Sequence, residues 1–166
     1  MGPLATFGPV ANAQLAWLSA TLFACWAPLL WFNLPPVSLF MGDAGAIPLG
    51  FVLALMGLMA LLTDLSMGLA WLILMMPFLV DTGFTLCIRI LAGEPPPIAH
   101  REHAYQRLIA QVGSPLPLTL GLLGMQVIWQ FPLAVTVVNS TVFPSLLVLL
   151  SAIPAVAAVV YTRRRA

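Results

Sequence analysis

From Leu108 to Thr162 the sequence carries no charged side chain, and the first charged side chain of the whole chain is Asp43. Apolar runs of that length restrict the possible folds severely. With no water in a bilayer core, every backbone N–H and C=O must be satisfied inside its own segment or in a closed barrel. The runs here are continuous, without the apolar-polar alternation of a barrel strand, so helices satisfy the backbone. The expected fold is all-α, a polytopic membrane helical bundle. Composition agrees, with 61% hydrophobic and 7% charged residues and a mean hydropathy of +1.05, far from the balance of a water-soluble domain.

A span needs roughly 20 mostly apolar residues. The sequence offers about five candidates, at 11–32, 44–63, 65–88, 116–138 and 142–161, in a single membrane domain over 1–166. The third is the least regular, because it contains Asp81. The last two are divided by the polar triplet Asn139 to Thr141, which fits a glycosylation sequon but is explained better as turn chemistry. The segment 93–115 is the loop with most of the chemistry and holds both histidines. Pro95 to Pro97 cannot continue a helix, and "AHREHAYQRLIAQ" after them can form a short amphipathic helix at the membrane surface, with Tyr105, Leu108 and Ile109 on the apolar side.

Charge placement says more than charge sum. A net charge of +1 with no lysine offers no nucleic-acid surface. Cys25 and Cys87 sit in apolar runs without metal-ligand spacing, so neither a disulfide nor zinc is expected. No Lys or Arg precedes Arg89, so the start lacks the basic region of a signal peptide, and the first run is expected to stay in the mature chain. Arg89, Arg101 and Arg107 mark the 93–115 loop as cytoplasmic, and Arg163 to Arg165 mark the end of the chain likewise. Counting spans backwards puts Asp43 on that same face as His103. The first span would then begin outside, so a preceding inside-to-outside helix is expected.

Asp43 stands between Gly42 and Gly45 where the second span begins. It is either an N-cap carboxylate favoured by the helix dipole or a group placed for a ligand, with the glycines allowing close backbone approach. His100 and His103, three apart on one helix face with Arg101 and Arg107 beside them, suit a phosphate or diphosphate, since guanidinium offers a fork of donors and imidazole exchanges a proton near neutrality. The other reading is an ordinary basic loop with solvated histidines. Asp81 either faces the bundle interior and lines a site or pairs with Arg89 as helix-end charges, Arg89 reaching for the surface. Asp64 is expected to cap the third helix, and the tryptophans to anchor and pack the spans.

"LFMGDAG" opening one span, "MPFLVDTGFTLCIRILAGE" through the next and "AHREHAYQRL" in the following loop together resemble the polyprenyl-phosphate N-acetylhexosamine-1-phosphate transferases of glycosyltransferase family 4. The preceding "WFNLPPVS" and the "REHAYQ" spelling look most like the branch that initiates lipopolysaccharide O-antigen chains, and the resemblance runs from about Asn12 to Tyr161. It implies transfer of N-acetylhexosamine 1-phosphate from a UDP-sugar to undecaprenyl phosphate, with release of UMP, at a Mg²⁺ site on the cytoplasmic face of the bacterial inner membrane. It also implies Asp43 as a magnesium ligand and His103 on the donor's phosphates or uridine. Arg101, Arg107 and His100 would support phosphate binding and Asp81 would shape the site.

Two departures stand out: Tyr105 and Gln106 take the places of a second and third histidine, and Ala46 replaces a serine common after the Gly-Asp motif. The family's paired-aspartate motif and its acidic Mg²⁺-binding loop have no counterpart in this chain, which therefore resembles the C-terminal half of a larger enzyme. The expectation is that the polypeptide is inactive alone and is completed by a separately encoded or lost N-terminal half. The alternatives are a non-catalytic membrane subunit and a small transporter using Asp81 as an intramembrane ion site.

Overall fold

A computed structural model of the chain describes residues 4–33, 41–91, 93, 109, 113–140 and 143–164. Of these, 94% are helical and none is in a strand, so the expected all-α fold is the one found. In chain order the helices are α1 (Leu4–Asn33), α2 (Gly42–Thr63), α3 (Leu65–Leu91), α4 (Pro115–Met125), a π-helical turn (Gln126–Gln130), α5 (Phe131–Asn139) and α6 (Pro144–Arg164). With α4, the π-turn and α5 forming one rod, five segments are long and apolar enough to cross a membrane: Ala13–Phe32, Gly42–Thr63, Leu65–Cys87, Pro115–Asn139 and Pro144–Thr162. Large side chains such as Trp17, Phe51, Leu62, Ile128 and Leu149 stand exposed on them. In water these would be a liability; in lipid they are solvated.

The chain divides into two compact units, Met1–Trp71 and Leu72–Ala166, the boundary falling inside α3. In the first, α1 packs on α2, and α2 turns directly into α3 through a single residue, Asp64. Its N–H closes α2 on the Ala60 carbonyl at 3.0 Å, and its carbonyl accepts from Gly68 N–H at 3.1 Å. Its carboxylate accepts from the Ser66 N–H at 2.7 Å and from the Ser66 hydroxyl, which makes it the expected N-cap of α3.

The two helices then run back to back through small residues. A Cβ on Gly68 would stand 2.8 Å from the Leu61 Cα, and one on Gly57 would stand 2.6 Å from the Trp71 indole. Without a hydrophobic force between helices in lipid, such close backbone approach is what gives dispersion its purchase.

The two Ser66 hydrogen bonds hold the Asp64 carboxyl below the usual carboxylate range, the hydroxyl contributing most. The sign of the pH effect follows. A carboxyl whose folded pKa is depressed adds stability that is complete above its unfolded pKa and is lost as pH falls through the folded one. Asp64→Asn keeps a capping oxygen but cannot titrate. Thermal unfolding of both proteins in detergent should therefore show the wild type's advantage over Asp64→Asn shrinking below about pH 4, the ordinary Asp range. A difference that stays constant from neutrality down to pH 3 would show that the cap is not a charged one.

In the second unit α5 packs on α6. Ser114 begins α4, its hydroxyl accepting from Leu116 N–H at 3.4 Å with Pro115 in the first turn. Asn139 ends α5, its side-chain amide donating to the Val135 carbonyl at 2.8 Å. The core is small: Ile73, Ala134, Val137, Ala155 and Val159 are its buried hydrophobic residues.

Apart from the prolines that open α4 and α6, the helical segments of this unit contain Pro77 in α3, Pro132 in α5 and Pro154 in α6. Each lacks the N–H that would bond the carbonyl four residues back, and its ring crowds that turn open. At Pro132 the rod answers by widening: the N–H of Phe131 bonds the Gln126 carbonyl, five residues back, which is the π-turn.

At the other two prolines the π-turn itself supplies donors. Trp129 Nε1 donates at 3.1 Å to the carbonyl of Leu150, the group orphaned by Pro154. Gln130 Nε2 donates at 2.9 Å to the carbonyl of Ser151, one residue on. Gln126 Nε2 donates at 3.0 Å to the carbonyl of Leu74, three residues before Pro77. In hydrocarbon an unpaired carbonyl costs several kcal/mol, so proline in a span is tolerated where neighbouring side chains re-satisfy the backbone.

Candidate functional site

Asp43 lies in the first turn of α2, exposed, where the free N–H groups and the dipole favour negative charge. The N-cap reading of Asp43 is corrected: the N-cap position belongs to Met41, which makes no side-chain capping hydrogen bond, and Asp43 acts within the first turn. The flanking glycines have separate reasons. Gly42 takes φ +58°, a left-handed conformation at which a side chain would be strained. Gly45 gives its space to protein: a Cβ there would stand 2.7 Å from Met41 Cγ and 3.3 Å from Trp26 Cη2 of α1. Around Gly42 a Cβ would meet nothing within 4 Å. The expectation that both glycines admit a ligand is thus corrected at Gly45, where the Trp26 and Met41 side chains fill the gap.

His100, Arg101, His103 and Arg107 lie outside the described residues, as does the surface helix expected around them apart from Ile109, which is helical. Asp43 belongs to the first unit and Asp81 to the second. Among the described residues no group of three His, Cys, Asp or Glu side chains could hold a metal ion. At the Gly-Asp motif the described residues offer a hard cation one exposed carboxylate, that of Asp43. That is compatible with Mg²⁺, which commonly takes one or two carboxylates and completes its shell with water and substrate phosphates.

Asp81, halfway along α3 and partly exposed, lines a cleft of about 480 Å³ within the second unit. Leu74 and Pro77 of α3, Leu122 and Gln126 of the α4 rod and Val159 of α6 form its other walls. The cleft is apolar apart from Asp81 and Gln126. Gln126, Trp129 and Gln130 were not singled out by sequence reasoning. The signal was there in "QVIWQFP": two amides in an otherwise apolar span, next to a proline, are costly unless they have partners.

With this geometry in place, comparison with known proteins gives two partial matches. The sequence model of glycosyl transferase family 4 matches residues 3–62, the stretch that contains "LFMGDAG" and Asp43. A protein of Bacillus subtilis (strain 168) named "Probable undecaprenyl-phosphate N-acetylglucosaminyl 1-phosphate transferase" is 34% identical over 96 residues, covering 56% of this chain and 26% of that protein. No solved structure matches. Both matches support the family resemblance, the family model covering the first of the three motifs. It spans about a quarter of the length of the curated relative it matches.

Proposed function

We propose that this chain is part of a multi-pass membrane transferase that moves a sugar 1-phosphate from a nucleotide sugar to a polyprenyl phosphate. The observation that carries the reading is the family match over residues 3–62, which puts the Gly-Asp motif at the start of a span, with Asp43 exposed in its first turn. The finer reading follows the resemblance: UDP-N-acetylhexosamine as donor, undecaprenyl phosphate as acceptor, and O-antigen or related envelope polysaccharide as the product line, at the cytoplasmic face of the inner membrane.

In that reaction a phosphate oxygen of the lipid attacks the sugar-bearing phosphorus of the donor. The bond from that phosphorus to the bridging oxygen breaks, and UMP leaves with the electron pair. Such a reaction is catalysed by positioning and by charge stabilisation. Asp43, at the positive end of α2, would hold a metal-bound diphosphate in place; His103, Arg101, Arg107 and His100 would donate to its oxygens, and Asp81 would shape the membrane side. Mg²⁺, when bound, supplies neutralisation of the diphosphate charge.

A lone carboxylate at the Gly-Asp motif is too little for the whole task, so the chain by itself is expected to be inactive. In vesicles with Mg²⁺, UDP-N-acetylglucosamine and undecaprenyl phosphate, it should release no UMP. Co-reconstitution with an N-terminal segment bearing the family's acidic motifs should restore release. Turnover by the chain alone would refute the requirement for a second part. No turnover by a folded, co-purifying pair would refute the transferase reading.

A further inference from the structure

The cleft of the second unit is lined by Pro77, by Ala155 beside Pro154 and by Gln126 of the π-turn. Its α3 wall includes Leu74, Pro77 and Asp81, its α6 wall begins at Ala155, one residue past Pro154, and its α4 wall ends at Gln126, the first residue of the π-turn. The same turn donates to carbonyls beside the two outer prolines, Gln126 to Leu74 on α3, Trp129 to Leu150 and Gln130 to Ser151 on α6. Of these carbonyls, that of Leu150 lies four residues before a proline and has no peptide N–H competing for it, while Leu74 and Ser151 lie three residues before theirs, and a helix cut by proline bends with little resistance.

We infer that the π-turn Gln126–Gln130 is a latch. Its side chains hold α3 and α6 at one bend each, about Pro77 and Pro154, and their release changes the width of the cleft that Asp81 lines.

Two features separate a latch from ordinary packing. The donors are side-chain amides and an indole, each making one hydrogen bond that can be given up without unravelling its own helix. The bonds are also half-satisfied: Gln126 Oε1 and Gln130 Oε1 are buried with no partner. A buried polar network with vacant acceptors is not at its optimum, and an arrangement that supplies donors to those oxygens competes with the one seen. Gln130 and Ser151 are fully buried while Trp129 is exposed, so within the α6 arm it is the Gln130 bond that is shielded from its surroundings. The inference goes beyond the transferase reading and is tested without any substrate.

The test uses the whole chain in lipid nanodiscs with Cys25→Ala. Spin labels are placed on the native, exposed Cys87 of α3 and on a cysteine introduced at the exposed Leu120 of α4. A second pair joins Leu120 to the exposed Ala157 of α6, in a Cys87→Ala background. Electron-electron distance distributions report each arm.

Gln126→Leu should add a second mode to the Cys87–Leu120 distribution and leave Leu120–Ala157 alone. Trp129→Phe with Gln130→Leu should do the reverse. Pro154→Ala restores a peptide N–H opposite the Leu150 carbonyl and should abolish the effect of the second pair of substitutions. Distributions that ignore every variant, or that broaden equally in both arms and still do so with Pro154→Ala, overturn the latch. If the latch variants fail to fold, Pro77→Ala and Pro154→Ala alone decide, because each restores a backbone bond and straightens the helix that the latch holds bent: the corresponding distribution should move to a new single distance, and an unmoved distribution overturns the inference.

Discussion

Gly68→Val is expected to open the α2–α3 turn and to cost more stability than any other single glycine substitution in the first unit. The nearest atom to a new Cβ is the Leu61 Cα at 2.8 Å, a backbone atom that cannot swing aside. Overpacking of a well-fitted contact costs about 1–3 kcal/mol, and Val adds two further methyls in the same gap. Gly68→Ala should lie at the lower end of that range. Gly57→Ala should fall in it as well, because its Cβ would stand 2.6 Å from the indole of Trp71, a large ring in the same interface. Gly83→Ala, where nothing lies within 4 Å, is the control and should be neutral or stabilising, since alanine favours a helix over glycine by about 1 kcal/mol. Reversible unfolding in mixed detergent micelles measures all four. Equal effects at positions 68 and 83 would show that the helices do not approach as closely as described.

Asp43→Asn is expected to remove transferase activity when the chain is assembled with the acidic-motif part of the enzyme. Loss of groups that merely support metal ligands costs 10–100-fold, so loss of a direct ligand should exceed about a hundredfold in kcat/KM. The substitution keeps size and a hydrogen-bonding oxygen, and an exposed position leaves the fold intact, so unchanged helicity and unchanged Tm should accompany the loss. Activity within a few-fold of wild type would remove Asp43 from the metal site and leave it as a first-turn carboxylate. A Mg²⁺ titration separates the outcomes further, because a lost ligand raises the Mg²⁺ concentration needed for half-maximal rate.

The helices were legible in the sequence because hydrocarbon allows so few solutions: continuous apolar runs flanked by Asp64 or by Ser114-Pro115 have one way to satisfy their backbone. The Asp64 cap was legible for the same local reason, a carboxylate one residue before a span. Asp43 was legible as a group of interest through its neighbours, yet its glycines were misread. Whether a missing Cβ serves a ligand or a tryptophan from another helix is a tertiary fact, and Trp26 lies far from Gly45 in the chain.

The π-turn was hidden differently. A window average over 116–138 reads as one uniform span, and the break comes from Pro132 together with side chains whose partners sit on α3 and α6. His103 and its neighbours lie outside the described residues, so their pairing with Asp43 stands as a proposal from charge placement and family resemblance.

The single-residue connection at Asp64 bears on how the protein is made. Two spans with no loop between them cannot leave the ribosome and enter the bilayer as independent segments, because the first cannot settle before the second has followed it round. α2 and the start of α3 should therefore be delivered to the translocon as a hairpin. The same junction offers a protease no extended strand to cut and leaves no room for an epitope tag, so reporters of topology belong at other turns of this chain.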